Sequence, residues 1–283
     1  MNVLDDFTSR VERWPLLDKI GDPVRSVVQA AIKPKAVRNT LSGTPLGHPL
    51  HALLTDFPIG AWSLASVLDL LGGERDEHAA DLLVGTGLVA AIPTAAAGLT
   101  DWADTHGSTS RLGVAHAALN VTALSLYGAS LVARRAGSRT AGKGLAFTGL
   151  GILLASGYLG GHLAYTKGVK VSRTAWHEGP TDWEDALAES ELDDGKPHLA
   201  HLDDIPILVI RDAGRIVAID NVCTHAGGSL DEGTVKDGCV TCPLHGSTFR
   251  LADGSVVLGP ASAPQPSYEA RVREGRVQLR ARP

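Results

Sequence analysis

Cys223-Thr224-His225-Ala226-Gly227-Gly228-Ser229-Leu230 and, separated from His225 by sixteen residues, Cys242-Pro243-Leu244-His245-Gly246-Ser247-Thr248-Phe249 decide how the C-terminal part of this chain reads. The spacing is C-x-H followed by C-x2-H. Two cysteines and two histidines can hold one zinc ion tetrahedrally. The same set can hold a [2Fe–2S] cluster, with two thiolates on one iron and two imidazoles on the other. Spacing alone leaves both open. The flanks favour the cluster. Gly227, Gly228 and Gly246 let backbone approach it closely, and Ser247 can donate a hydrogen bond to sulfur.

The surrounding residues predict a small antiparallel β sandwich or barrel. Pro206 to Arg211 and Arg215 to Asp220 are β-rich runs joined by Asp212-Ala213-Gly214, a hairpin signal. Lys236-Asp237-Gly238 is a second turn, leading into Cys239-Val240-Thr241. Ser247 to Arg250, Val256 to Leu258, Tyr268 to Val272 and Val277 to Leu279 follow, with Glu274-Gly275 as the last turn. Cys239 is expected as a strand thiol outside the ligand set, because the two loops already supply four ligands. His198 and His201 are expected at the surface.

Residues of about 198 to 282 resemble a Rieske [2Fe–2S] ferredoxin domain. The resemblance rests on Cys223-Thr224-His225 with Gly227-Gly228, on Cys242-Pro243-Leu244-His245-Gly246-Ser247, and on Gly259-Pro260-Ala261 ahead of Pro264. It implies that Cys223 and Cys242 bind the inner iron, and His225 and His245 the exposed one. Replacing two thiolates by neutral imidazoles raises the cluster charge from −2 to 0, so an electron enters more easily. Such centres span about −150 to +300 mV, against about −400 mV for four-cysteine ferredoxins. The respiratory branch of the family carries an extra cysteine in each loop, where this chain has Gly228 and Leu244. It also has a tyrosine where this chain has Phe249. The lost hydroxyl removes one cluster-directed hydrogen bond, so a low-to-middle potential is expected.

Outward from that domain the chain changes character. The whole is 283 residues with 26 Lys+Arg and 31 Asp+Glu, a formal charge of −5, which disfavours a nucleic-acid partner. Residues 1–173 carry 16 basic and 13 acidic side chains, and 174–283 carry 10 and 18. The basic part holds four apolar runs: Ala52 to Leu71, Leu82 to Leu99, Val114 to Val132 and Leu145 to Tyr165. Each approaches the ~20 residues a helix needs to cross a bilayer. A buried soluble bundle is the alternative, but no run shows the broad polar stripe its outer faces would need. Gly157 and Gly161 form a GxxxG pair suited to close helix contact. The fold class expected is therefore α + β multidomain, a four-helix transmembrane bundle followed by a small all-β Rieske-like domain. The boundaries are an N-terminal amphipathic, juxtamembrane region over 1–47, the spanning domain over 48–166, a linker over 167–197 and the Rieske domain over 198–283.

Four spans place both chain ends on one side of the lipid bilayer. Near the spans that side carries Lys33, Lys35, Arg38, Arg111, Lys167, Lys170 and Arg173; the other carries Arg75, Arg134, Arg135, Arg139 and Lys143. The excess favours cytoplasmic ends in a multi-pass inner-membrane protein. Met1 to Arg10 has no apolar run, so no secretory signal is expected. Asp22-Pro23 reads as the start of a helix carrying Val24, Val27, Val28 and Ile32. That helix either packs on the spans or lies in the membrane interface. At the start of the first span, His48 and His51 are three residues apart, with Asp56 beyond them; a bond between His51 and Asp56 within one helix is not expected. His116, His162, Asp101, Trp102 and His106 fall at the same membrane face. Residues of about 45 to 165 resemble an uncharacterised bacterial four-helix membrane family with a His-Pro-x-His start. His51, His116 and His162 are the candidates for a haem b, metal or quinol site, with interfacial packing as the alternative.

Together these readings predict a membrane-anchored electron carrier rather than a stand-alone enzyme. It would pass single electrons between a soluble reductase or other donor and a membrane site or partner. A redox-sensing regulatory membrane protein is the second reading. A complete oxygenase is not expected, because only 38 residues follow His245.

Overall fold

The computed structural model describes residues 3–282 and divides into two compact units, Met1–Lys33 with Leu50–Val169, and Pro34–Pro49 with Lys170–Pro283. The first is helical. α1 (Val3–Glu12) and α2 (Asp18–Ala31) precede four long helices. These are α4 (Leu50–Leu71), α5 (Glu77–Trp102), α6 (Gly107–Arg135) and α7 (Arg139–Gly161), the last running into a wider turn over His162–Thr166. α3 (Lys35–Ser42) belongs to the second unit. α2 starts one turn before Asp22-Pro23, so Pro23 lies inside it rather than at its first position.

The long helices are long and apolar enough to cross a membrane. Their large side chains point outwards: Leu64, Leu70, Leu82, Val89, Ile92, Val121 and Leu154 are all more than half exposed. A soluble bundle would bury them; lipid would cover them. The interior is built from smaller residues and a few rings. Trp62 of α4 stacks on Tyr127 of α6 at 4.2 Å between centroids, and its Nε1–H donates to the Val84 carbonyl at 3.2 Å. Gly87 and Gly149 make room, since a Cβ there would meet Trp62 and Tyr127. The expected Gly157/Gly161 pair plays no such part. A Cβ on Gly157 would meet nothing within 4 Å, and Gly160 is the glycine that lies against a neighbour, His116. Which face of a helix is buried depends on its partners, and the GxxxG spacing does not encode that.

One end of the bundle is locked by charge. Arg134 of α6 donates to both carboxylate oxygens of Asp69 on α4 and, at 3.1 Å, to Asp81 on α5; Arg139 of α7 also reaches Asp81, at 3.0 Å. Arg134 and Asp69 are fully buried, so removing either partner would cost about 3–5 kcal/mol. Near the other end, α2 docks on the α5–α6 turn. Gly21 faces Val114, Arg25 lies over the Trp102 ring, and Gln29 donates to the Ala103 carbonyl. Ile32 is buried while Ile20 and Val27 are exposed, so α2 packs on the bundle and keeps a second apolar face outward.

Among the described residues, the second unit contains ten strands. β1 (Glu184–Ala188), β2 (Pro197–Leu202), β3 (Ile205–Asp212), β4 (Arg215–Asp220), β9 (Ser267–Arg273) and β10 (Arg276–Ala281) form an antiparallel sheet in the order β1-β10-β9-β4-β3-β2. β5 (Thr234–Lys236), β6 (Cys239–Thr241), β7 (Thr248–Arg250) and β8 (Val256–Leu258) form a second sheet in chain order. β3 is buried on both faces: Ile207 and Val209 enter one core, Leu208 and Ile210 the other. That second core contains Cys223, Cys242, Leu230, Val240, Phe249 and Ala261. The stretch expected as a linker, 167–197, supplies β1, which pairs with β10. Glu184–Ala188 lacks the β-branched residues that mark a strand from sequence; its partner imposes the conformation.

Candidate metal centre

Two loops of the same build hold the four candidate ligands, the first between β4 and β5 and the second between β6 and β7. In each, the peptide N–H four residues after the cysteine donates back to the cysteine carbonyl: Gly227 to Cys223 at 2.8 Å, and Gly246 to Cys242 at 3.1 Å. Both glycines have positive φ, 80° and 76°, a conformation that costs side-chain-bearing residues. The cysteine N–H groups are taken by Gly228 and Ser247 carbonyls at 2.9 and 2.8 Å. Gly228 serves a different need, since a Cβ there would lie 2.9 Å from the Cys242 sulfur. Peptide N–H groups of His225 and Ala226 point at the Cys223 sulfur, and those of Leu244 and His245 at the Cys242 sulfur. Donors aimed at thiolate sulfur stabilise added negative charge.

Cys223 and Cys242 are buried side by side, with the Cys223 thiol donating to Cys242. That bond, aided by the Leu244 and His245 N–H groups, pulls Cys242 down to about 6 against the opposing effect of burial. Cys223 is pushed up in turn, by its bond to Cys242 and by burial. The rings of His225 and His245 meet edge to face with centroids 5.1 Å apart. His225 Nδ1 is buried without a hydrogen-bond partner. A polar atom left so is costly unless a metal takes it. The imidazole is also held neutral, as a ligand must be. Its proton affinity falls to about 3, first through burial, then through the charges of Lys170, His245, Arg38 and Arg173. Two thiols, two imidazoles and four sulfur-directed N–H groups fit a [2Fe–2S] cluster held through Cys223, Cys242, His225 and His245.

Ser247 is fully buried, and its Oγ accepts the Ala261 N–H at 3.0 Å, tying the second loop to Gly259-Pro260-Ala261. Its own proton stays available for a sulfur. Cys239 is the first residue of β6, opposite Lys236 and Arg250 and half-buried, outside both loops. His201 is exposed and His198 half-buried, accepting the Asp193 N–H through Nε2.

Several supporting residues carry no signal in the sequence. Buried Gln265 accepts the Thr224 N–H and donates to the Asp220 and Val222 carbonyls, at 2.9 to 3.0 Å, clamping the first loop from β9's side. Asp220 accepts the Val222 N–H and pairs with His177. Arg38 and Asn39, from α3, and Lys170 bond to carbonyls of the cluster-loop region. No local pattern marks these; they are contacts between residues up to 221 positions apart. Beside His225 a cavity of about 180 Å³ is walled by His48, Lys170, Thr224 and Pro260.

In the helical unit, two of the three candidate histidines come together. His51 and His116 meet edge to face with centroids 6.5 Å apart. His51 Nδ1 lies 3.0 Å from the Thr94 carbonyl, and His116 Nδ1 2.9 Å from that of Ser156. A carbonyl only accepts, so both Nδ1 atoms carry the proton. His116 Nε2 then accepts from the Asn120 amide at 3.0 Å. Gly98 and Gly160 let the two rings lie against backbone. His162 is not part of this pair. Its ring lies by Tyr158, with Nε2 3.7 Å from Glu12. Asp56 is exposed, Asp101 is buried, and Trp102 donates to the Ser110 carbonyl at 3.0 Å.

Comparison with known proteins agrees with the division. Residues 182–269 match the model of the Rieske [2Fe-2S] domain, and residues 47–173 match that of a predicted membrane protein family, DUF2231. The anthranilate 1,2-dioxygenase ferredoxin subunit of Burkholderia cepacia is 31% identical over 98 residues, which are 35% of this chain and 91% of that protein. Ferredoxin CarAc of Metapseudomonas resinovorans is 34% identical over 74 residues, 26% of this chain and 69% of the relative. Among solved structures, the ferredoxin of carbazole 1,9a-dioxygenase from Nocardioides aromaticivorans IC177 is 26% identical, with 34% of this chain covering 95% of it and a TM-score of 0.33.

Proposed function

Since this chain belongs to the Rieske [2Fe–2S] family and carries a predicted membrane domain ahead of the cluster loops, we propose that it is a membrane-anchored one-electron carrier. A soluble reductase delivers the electron, and a membrane partner takes it. The observation that carries this reading is the union in one chain of a complete Cys223/His225/Cys242/His245 ligand set with four helices long enough to span a bilayer. The relatives named as ferredoxin subunits or components of dioxygenases support electron transfer as the role. The excess of Lys and Arg near the chain ends supports a multi-pass inner-membrane protein with its Rieske unit in the cytoplasm.

When bound, the cluster supplies a single-electron couple without bond making or breaking. The chain's own residues do the rest. Cys223 and Cys242 anchor the buried side and stay covered by Leu230, Val240 and Phe249. His225 and His245 are only half-buried and provide the edge through which an electron passes. The loop N–H groups offset the charge that reduction adds.

The test is the purified full-length protein in detergent. Two irons per chain and an EPR signal that appears on reduction and bleaches on reoxidation are expected. Inverted membrane vesicles should then reduce the cluster from the cytoplasmic side with NADH and a ferredoxin reductase. Zinc in place of iron, or reduction only from the opposite side, would overturn the ligand reading or the orientation respectively.

A further inference from the structure

The Rieske match covers residues 182–269, yet the β unit also contains Pro34–Pro49 and the stretch from Lys170. These additions concentrate on the cluster end. Asn39 works as a two-way clamp, its Nδ2 donating to the Val257 carbonyl at 3.2 Å and its Oδ1 accepting the Gly259 N–H at 2.9 Å. Thr44 donates to the Ala261 carbonyl at 3.0 Å. Gly259 packs so closely on Ser42 and Thr44 that a Cβ there would lie 3.3 Å from each. α3 is thus fixed against the loop that follows β8.

That fixing places two cations. The Arg38 guanidinium donates through Nε to the Gly259 carbonyl at 3.1 Å and through Nη2 to the carbonyl of His245, itself a candidate ligand, at 3.3 Å. Lys170 Nζ donates to the Pro260 carbonyl at 2.9 Å and to Ser42 at 3.4 Å. Lys170 also adopts φ 62°, a left-handed conformation that a non-glycine residue keeps only where its surroundings enforce it.

We propose that Arg38 and Lys170 are fixed cations that raise the reduction potential of the cluster, and that Pro34–Pro49 is retained on the β unit to hold Arg38 there. Reduction adds one electron from an external donor to a centre whose two thiolates and two neutral imidazoles leave it uncharged when oxidised. No bond forms or breaks, and the reduced centre is an anion. A cation nearby favours the anion and so favours reduction. The effect of Arg38 and Lys170 opposes the loss of the tyrosine hydroxyl at Phe249, so the potential cannot be read from the two loops alone. The proposal rests on the cluster itself and is independent of which donor or acceptor the protein uses.

The experiment is a potentiometric titration of full-length R38Q, K170Q and the double variant, followed by EPR. At a fixed ambient potential the reduced-to-oxidised ratio should fall about threefold for each single change. The double variant should fall about tenfold, equal to ~59 mV for a one-electron couple. R38K and K170R keep the charge and should stay near wild type. K196Q, which removes an exposed cation of the same unit, should change nothing. A Gln variant that keeps its EPR signal at the wild-type potential overturns the proposal. So does a charge-conserving variant that shifts as far as its Gln counterpart, which would mark the role as structural. If R38Q fails to assemble a cluster, K170Q is read alone. Loss of the cluster in both Gln variants also overturns the assignment, in favour of scaffolding.

Discussion

Among the described residues, two histidine pairs meet edge to face, and they differ in what they lack. His225 and His245 meet at 5.1 Å in the β unit, and His51 and His116 at 6.5 Å among the long apolar helices. In the first, His225 Nδ1 is buried with no hydrogen-bond partner, and each ring belongs to a loop that also carries a buried thiol. In the second, both Nδ1 atoms already donate to carbonyls, and the Asn120 amide occupies His116 Nε2. The first pair thus holds a buried imidazole nitrogen, on His225, with no hydrogen-bond partner. In the second, both ring nitrogens of His116 and Nδ1 of His51 are taken by groups on the helices. Proximity of imidazoles therefore says less about ligation than the hydrogen-bond partners of their nitrogens.

The strongest way to break the comparison is at the thiols. C223S or C242S should abolish the cluster, leaving no EPR signal and less than stoichiometric iron. C239S should retain both, because Cys239 is a β6 strand residue paired with Lys236 and Arg250, outside both loops. A C239S protein without a signal would show the ligand set to be misassigned.

The second test concerns the helical pair. H116L would strand the Asn120 amide in the bundle. The expected cost is about 1–3 kcal/mol, read as a lower unfolding midpoint in detergent, with no change in the visible spectrum. Haem bands in the wild-type protein that vanish in H116L would place this pair with the ligands instead. Asn120 would then have to yield Nε2 to the iron.

How much is legible in the sequence follows the same divide. The candidate ligands lie within short loops whose spacing is the geometry, so Cys223, His225, Cys242 and His245 stand out as one set before any fold is known. The four long helices are legible because their apolar runs approach the length needed to cross a bilayer. Contacts across the chain are not. Nothing in Arg38 or Asn39 announces a partner near residue 259, and nothing in Gln265 marks it as the clamp of the first loop. The helix faces also depend on neighbours, which is why Gly160 rather than Gly157 or Gly161 receives a ring. β1 is hidden for a related cause: its strand conformation comes from β10 and not from its own residues.

A third histidine sharpens the contrast with the smallest expected effect. His177 serves neither metal nor carbonyl, pairing instead through Nδ1 with the fully buried carboxylate of Asp220, at the end of β4. Burial raises the proton affinity of Asp220 above its ordinary value of 3.8, although the His177 bond and the Val222 N–H oppose that rise. A raised folded value means that folding favours the protonated acid. That contribution is complete below about pH 4 and is lost as pH rises through the folded value. Wild-type stability should therefore decline across this range relative to D220N, whose amide does not ionise. Thermal unfolding of both proteins from pH 4 to 7 measures the difference. H177Q should steepen the decline, because it removes the largest interaction that holds the Asp220 value down. A difference between wild type and D220N that stays flat with pH, or runs the other way, would mean that the imidazolium compensates fully for burial. His177 would then be a complete ion-pair partner.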